Sequence, residues 1–147
     1  MGWQSYELDR VAQGLVLDHR EQDVLNESHK MRTTVAYGLE RFWGEHLRLL
    51  DNQKKADDRA KGEYWLATWT AFVEIMKQAE VAVPQGVVHP DDTTKIREVA
   101  EQFWDREKFP LEDQRISLAV LTQLCDCLVW WTQRYKKKGK GKVKHER

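Results

Sequence analysis

Apolar positions recur at three- and four-residue steps through five stretches of this chain, and nowhere do they alternate with polar ones in a sustained period of two. The spacing predicts helices. The first spans 3–25, with Leu8, Val11, Ala12, Leu15 and Val16 on one face, and is weakened by Gly14, which costs a helix interior roughly 1 kcal/mol against Ala. Asn26 and Ser28 stand where caps belong. The second helix, 28–50, steps through Met31, Val35, Leu39, Phe42, Trp43, Leu47 and Leu50, with Gly38 and Gly44 inside it as places where a neighbouring backbone could come close. Polar residues 51–58 read as a linker.

The third helix, 58–81, carries an aromatic stripe that includes Tyr64, Trp65, Trp69 and Phe72, and it ends before Pro84 and Gly86. Asp91 or Asp92 caps a short fourth helix that turns Ile96, Val99, Ala100, Phe103 and Trp104 inward. The fifth starts at Pro110, with Glu112 and Asp113 in its first turn, where carboxylates suit the positive end of the helix dipole. It steps through Leu121, Leu124, Leu128, Trp131 and Tyr135 and closes on lysines from Lys136. Five amphipathic helices in 147 residues are expected to fold as an all-α, single-domain antiparallel helical bundle over 1–138, followed by a basic C-terminal tail, 139–147.

Composition changes this picture in two respects. Seven tryptophans are many for this length. Large rings first serve a core, and base stacking is their other use. Charge is also unevenly placed. Residues 134–147 hold eight basic side chains against the single acid Glu146, a net +7, so the rest of a chain with zero total carries −7. A basic end on an acidic body suits a polyanionic partner. No apolar run approaches the roughly 18 residues of a membrane span, and the start of the chain, with Glu7, Asp9 and Arg10, does not read as a signal peptide. Cys125 and Cys127 sit two apart on a predicted helix, where side chains diverge by about 200°, so no bridge between them is expected. A cytoplasmic, reducing location follows from that usage.

Motifs that carry chemistry are missing from the sequence. His19, His29, His46, His89 and His145 form no HExxH and pair with no cysteine at metal-ligand spacing, and phosphate-loop and nucleophile-elbow patterns are lacking. The reading is a non-enzyme with no catalytic residues, no metal ligands and no cofactor. Basic residues on helices remain as candidate binding groups. Arg41 and Arg48 lie seven apart, two turns along one helical face; Arg32 precedes them, and Lys136, Lys137 and Lys138 cluster at the last helix end. Such residues are solvated faces in many helical proteins, and they are phosphate contacts in others.

The last helix, LAVLTQLCDCLVWWTQRYKKK (Leu118–Lys138), resembles the closing helix of the small helical subunits of CRISPR RNA-guided effector complexes, and MRTTVAYGLERFW (Met31–Trp43) is similar to their early arginine-bearing helix. The likeness covers about a third of the chain and points to type I-D or type III-like systems. It implies a non-catalytic subunit that packs along the complex backbone with other effector-complex subunits and further copies of itself. It also implies sequence-independent contacts to guide RNA and to the target or displaced strand, through Arg32, Arg41, Arg48, Lys136, Lys137 and Lys138. The alternative is a helical protein–protein interaction module with no nucleic-acid contact.

Overall fold

The computed structural model describes residues 5–51, 54–86 and 88–137. Six α-helices follow one another: α1 (Ser5–Asp18), α2 (Glu27–Thr34), α3 (Leu39–Leu49), α4 (Ala56–Gln78), α5 (Thr93–Gln102) and α6 (Leu111–Tyr135). Short 3-10 turns at Arg20–Gln22 and Val35–Tyr37 lie between α1 and α2 and between α2 and α3. No strand occurs among the described residues.

The expected helix over 28–50 is two helices. Its apolar rhythm runs on unbroken, but Gly38 adopts φ +106°, a conformation closed to most side chains, and the chain turns there before α3 begins. Gly44 does not serve close packing, since a methyl group on it would meet nothing within 4 Å. That role falls to Gly62 on α4, where an added Cβ would stand 2.8 Å from a side-chain carbon of Leu50 and 2.9 Å from that of Leu49. The first helix stops at Asp18 instead of running to 25; Asp23, in the left-handed region at φ +54°, redirects the chain into α2. Of the expected caps, Asp92 accepts the Lys95 amide at 3.0 Å, whereas Asn26 makes no cap bond and Ser28 is buried inside α2. Trp3, Lys138 and the tail 139–147 lie outside the described residues.

The helices pack by two senses of direction. Asn26, Ser28 and Arg32 of α2 meet Lys136, Thr132 and Asp126 of the α6 end in that order, so the two elements are antiparallel. Phe42 on α3 lies against Trp65 and Trp69 on α4 while Leu49 and Leu50 sit over Gly62, which is again antiparallel. The α1–α6 pair departs from the expected arrangement: Trp131 donates to Asp9 at 2.9 Å and Tyr135 to Gln13 at 3.4 Å, so both helices advance the same way.

Phe42, Trp65, Trp69, Phe72, Phe103 and Phe109 fill one continuous aromatic core. Trp43 Nε1, His46 Nε2 and Ser117 Oγ are buried without a hydrogen-bond partner among the described residues, whereas other polar groups inside the core are matched. Ser28 Oγ bonds both the Tyr64 hydroxyl at 2.6 Å and Thr132 Oγ1 at 2.7 Å, tying α2, α4 and α6 together. Burial pushes the Tyr64 phenol up to about 12. Glu27, also buried, accepts the Trp65 indole N–H at 2.9 Å. No described helix is long and apolar enough to cross a membrane.

Candidate functional site

The turn at Gly38 and the loop between α5 and α6 build a groove of about 480 Å³. Tyr37, the last residue before the turn, projects a ring that is 65% exposed. One helical turn later Arg41 lies over that ring, its guanidinium carbon 5.9 Å from the centroid. The opposite wall follows from the end of α5. Phe103 enters the core against Trp43, Trp69 and Phe109. With Phe103 so directed, the next side chain faces out, and Trp104 is 68% exposed instead of inward as its place in the apolar pattern predicts. Asp105 then closes a tight turn, its carboxylate accepting the amides of Glu107 at 3.0 Å and Lys108 at 3.3 Å. That turn brings Arg106 back over the Trp104 ring, again at 5.9 Å. Exposed Leu111 and Arg115, both on α6, complete the lining.

The electrostatics of this groove favour an anion. Arg41, Arg106 and Arg115 line it against one carboxylate, Glu40. That carboxylate accepts the Trp104 indole N–H at 3.1 Å, which fixes the ring across the groove. None of the three arginines forms an ion pair with a described residue, and Arg106 makes one hydrogen bond, to the Phe103 carbonyl at 3.3 Å. Rings carrying guanidinium groups retain their outer faces for stacking, and the cations retain donors for phosphate oxygens.

The other residues expected at a binding site lie elsewhere. Arg48 shares α3 with Arg41 but binds Glu45 one turn back, which raises its already high pKa. Arg32 on α2 donates to Asp126 on α6 at 2.5 Å. Lys136 reaches the Asn26 side-chain oxygen at 2.9 Å, and Lys137 reaches Glu21 at 2.5 Å, holding that carboxyl below its usual range. Arg32, Lys136 and Lys137 thus lie on the α2–α6 side and do not line the groove with Arg41. Near them Arg134 lies 3.5 Å from the centroid of the half-exposed Trp130 ring.

Tyr37, Trp104, Arg106 and Arg115 were not legible as binding residues from periodicity. The available signals were local: Tyr37 before a glycine, and Trp104 followed by Asp105 and then Arg106 in the run-up to Pro110. Neither cysteine has the chemistry of a nucleophile. Burial pushes the Cys125 thiol far up, and partial burial with the Asp9 carboxylate holds Cys127 at about 12; both are free of disulfides. Among the described residues no three of His, Cys, Asp and Glu gather in a set that could hold a metal ion. Comparison with protein-family models, with curated proteins and with solved structures finds no match to this chain.

Proposed function

We propose that this chain is a non-catalytic small subunit of a CRISPR RNA-guided effector complex, of type I-D or type III-like kind, that holds a single nucleic-acid strand across the Tyr37–Trp104 groove. It works in the cytoplasm beside other effector subunits and further copies of itself. One observation carries the reading: two exposed rings and three arginines with no ion pair to a described residue converge on one groove. Stacking on an aromatic face tolerates any base, and guanidinium groups contact phosphates without reading sequence. In a guided complex the sequence is read by base pairing and the protein contributes charge and shape, which is what this groove offers.

The test has two arms. A tagged chain is captured from its host and the co-purifying RNA and proteins are identified; guide RNA and effector subunits are expected. In the second arm, a single-stranded oligouridylate is titrated into the purified chain. Tryptophan emission should be quenched, with a log–log salt slope of about −2 from three neutralised phosphates at about −0.7 each. No quenching, no salt dependence and capture of proteins without RNA would refute the strand contact.

That outcome would leave the second reading, a helical interaction module with no nucleic-acid contact. One observation favours it: Arg32, Arg48, Lys136 and Lys137 are already engaged within the chain.

A further inference from the structure

A second groove, of about 960 Å³, runs between α1 and α4 on a different set of residues from the arginine groove. Its floor is apolar: Leu8, Val11 and Leu15 from α1, Ile75 from α4, then Val81 and Ile116. Leu8, Leu15 and Val81 are buried, whereas Ile116 is 39% exposed. Its rim is acidic. Glu7, Asp18, Glu74 and Glu80 line it against Arg10, and none of these four carboxylates forms an ion pair with a described residue.

Gly14 lies in the middle of this wall, and its position is unexplained by the chain alone. It sits inside α1, where glycine weakens a helix by roughly 1 kcal/mol against alanine. It is exposed, and a Cβ there would meet nothing within 4 Å. Neither backbone strain nor packing within the chain calls for it. Lacking a Cβ, Gly14 leaves this stretch of the wall flat and open.

We propose that the α1–α4 groove is a docking site for a basic amphipathic helix of a partner protein. Its apolar stripe lies on Leu8, Val11, Leu15 and Ile75, its backbone passes over Gly14, and its lysines or arginines meet Glu7, Asp18, Glu74 and Glu80. Two antiparallel or crossed helices with an apolar floor between them are the usual seat for a third helix read at three- and four-residue steps. The fourteen residues of α1 span roughly 20 Å, enough for about four turns of a partner. The paired charges at the rim select the sign of the partner, because like charges placed there would repel. This surface is independent of the strand-binding groove, and its test does not involve nucleic acid.

The experiment uses the full chain and two fluorescent peptides of roughly five helical turns with the same leucine stripe, one with a lysine polar face and one with a glutamate polar face. Anisotropy should show saturable binding of the lysine peptide and about tenfold or weaker binding of the glutamate peptide. Glu74→Lys with Glu80→Lys should reverse that preference. The Cβ of Gly14→Phe would meet nothing within 4 Å, and its ring adds bulk to the exposed wall that the peptide backbone crosses, so it should weaken the lysine peptide about tenfold while leaving the thermal midpoint unchanged or raised. Equal affinity for both peptides, or full affinity in the Gly14→Phe chain, overturns the proposal. So does a groove already taken: concentration-dependent dimerisation abolished by Gly14→Phe would identify a second copy as the occupant. Peptide binding that appears only after deletion of 138–147 would identify the chain's own basic tail.

Discussion

Along the α2–α6 side, Arg32 rests on Asp126, Lys136 on Asn26 and Lys137 on Glu21, whereas in the Tyr37–Trp104 groove Arg41 and Arg106 lie against rings and Arg115 has no acidic partner. The two regions hold similar cations in different company. A guanidinium matched by a carboxylate has little field left for a third party, and breaking the pair to contact a phosphate gives up what the pair contributed. A guanidinium over a ring keeps its full charge and its donors at the edge. The contacts of Arg32, Lys136 and Lys137 are therefore assigned to holding helices in register, and the groove to binding; Arg134, over Trp130 near the end of α6, keeps the second kind of company. Sequence position alone ranks these cations the other way, because the lysine cluster after Tyr135 is the denser run.

The largest effect expected from this division is at the rings. Tyr37→Ala with Trp104→Ala should lower oligouridylate affinity by about 2–6 kcal/mol, from about 1–3 kcal/mol per stacked base. The thermal midpoint should move little, because both rings are largely exposed. Arg32→Ala serves as the contrast: an exposed pair contributes about 0.2–1 kcal/mol to stability, and strand affinity should not change. If Arg32→Ala weakens binding as much as the ring variant, the assignment of the two regions is reversed.

Next in size is the buried node beneath the α2–α6 side. Ser28→Ala removes the group that both Tyr64 and Thr132 bond, leaving two buried hydroxyls short of a partner. A loss of about 1–3 kcal/mol in urea unfolding is expected, with strand affinity of the folded chain unchanged. Thr132→Val, which leaves the Ser28–Tyr64 bond in place, should cost less. Equal losses from the two would show that Ser28 is not the centre of the node.

The smallest and most condition-dependent effect belongs to His46, on the buried side of the helix that carries Arg41. Burial lowers its pKa below the ordinary 6.5, although the bond from Nδ1 to the Trp43 carbonyl works against the shift. The folded chain therefore prefers the neutral ring. This contribution is present above the ordinary imidazole range and is lost as the pH falls through it. The urea midpoint should drop between about pH 7.5 and about pH 5, and His46→Leu should flatten that drop. A steeper drop in the variant would contradict the buried neutral ring. Affinity at the groove should fall only in step with unfolding, since His46 does not line it.

Helical class and most helix positions were readable from apolar spacing, because burial of one face imposes that rhythm wherever the backbone permits it. The break between α2 and α3 was not readable, because Val35, Leu39 and Phe42 keep the same rhythm on both sides of it and only the positive φ of Gly38 marks the turn. Trp104 shows the same limit at a helix end. Periodicity assigns a face only while the helix lasts, and α5 ends at Gln102. The groove depends on those two departures, so its parts, Arg41 excepted, were the least visible in the sequence. Arg32 and Lys137 failed as free cations for a different reason: their partners lie 94 and 116 residues away in the chain.

The position of α6 also has a consequence for how the protein is made. It is the last of the six described helices, yet it carries the partners of the first two, with Trp131 bonded to Asp9 across 122 residues. At roughly 5–20 residues per second, a ribosome needs on the order of ten seconds between finishing α1 and releasing its mate. Throughout that interval Leu8, Ala12 and Val16 have no α6 to cover them. Contacts of such long sequence separation also slow folding once synthesis is done. Until α6 is made, the nascent chain is expected to expose apolar surface of the kind chaperones bind, and truncation early in α6 is expected to leave α1 and α2 without their partners.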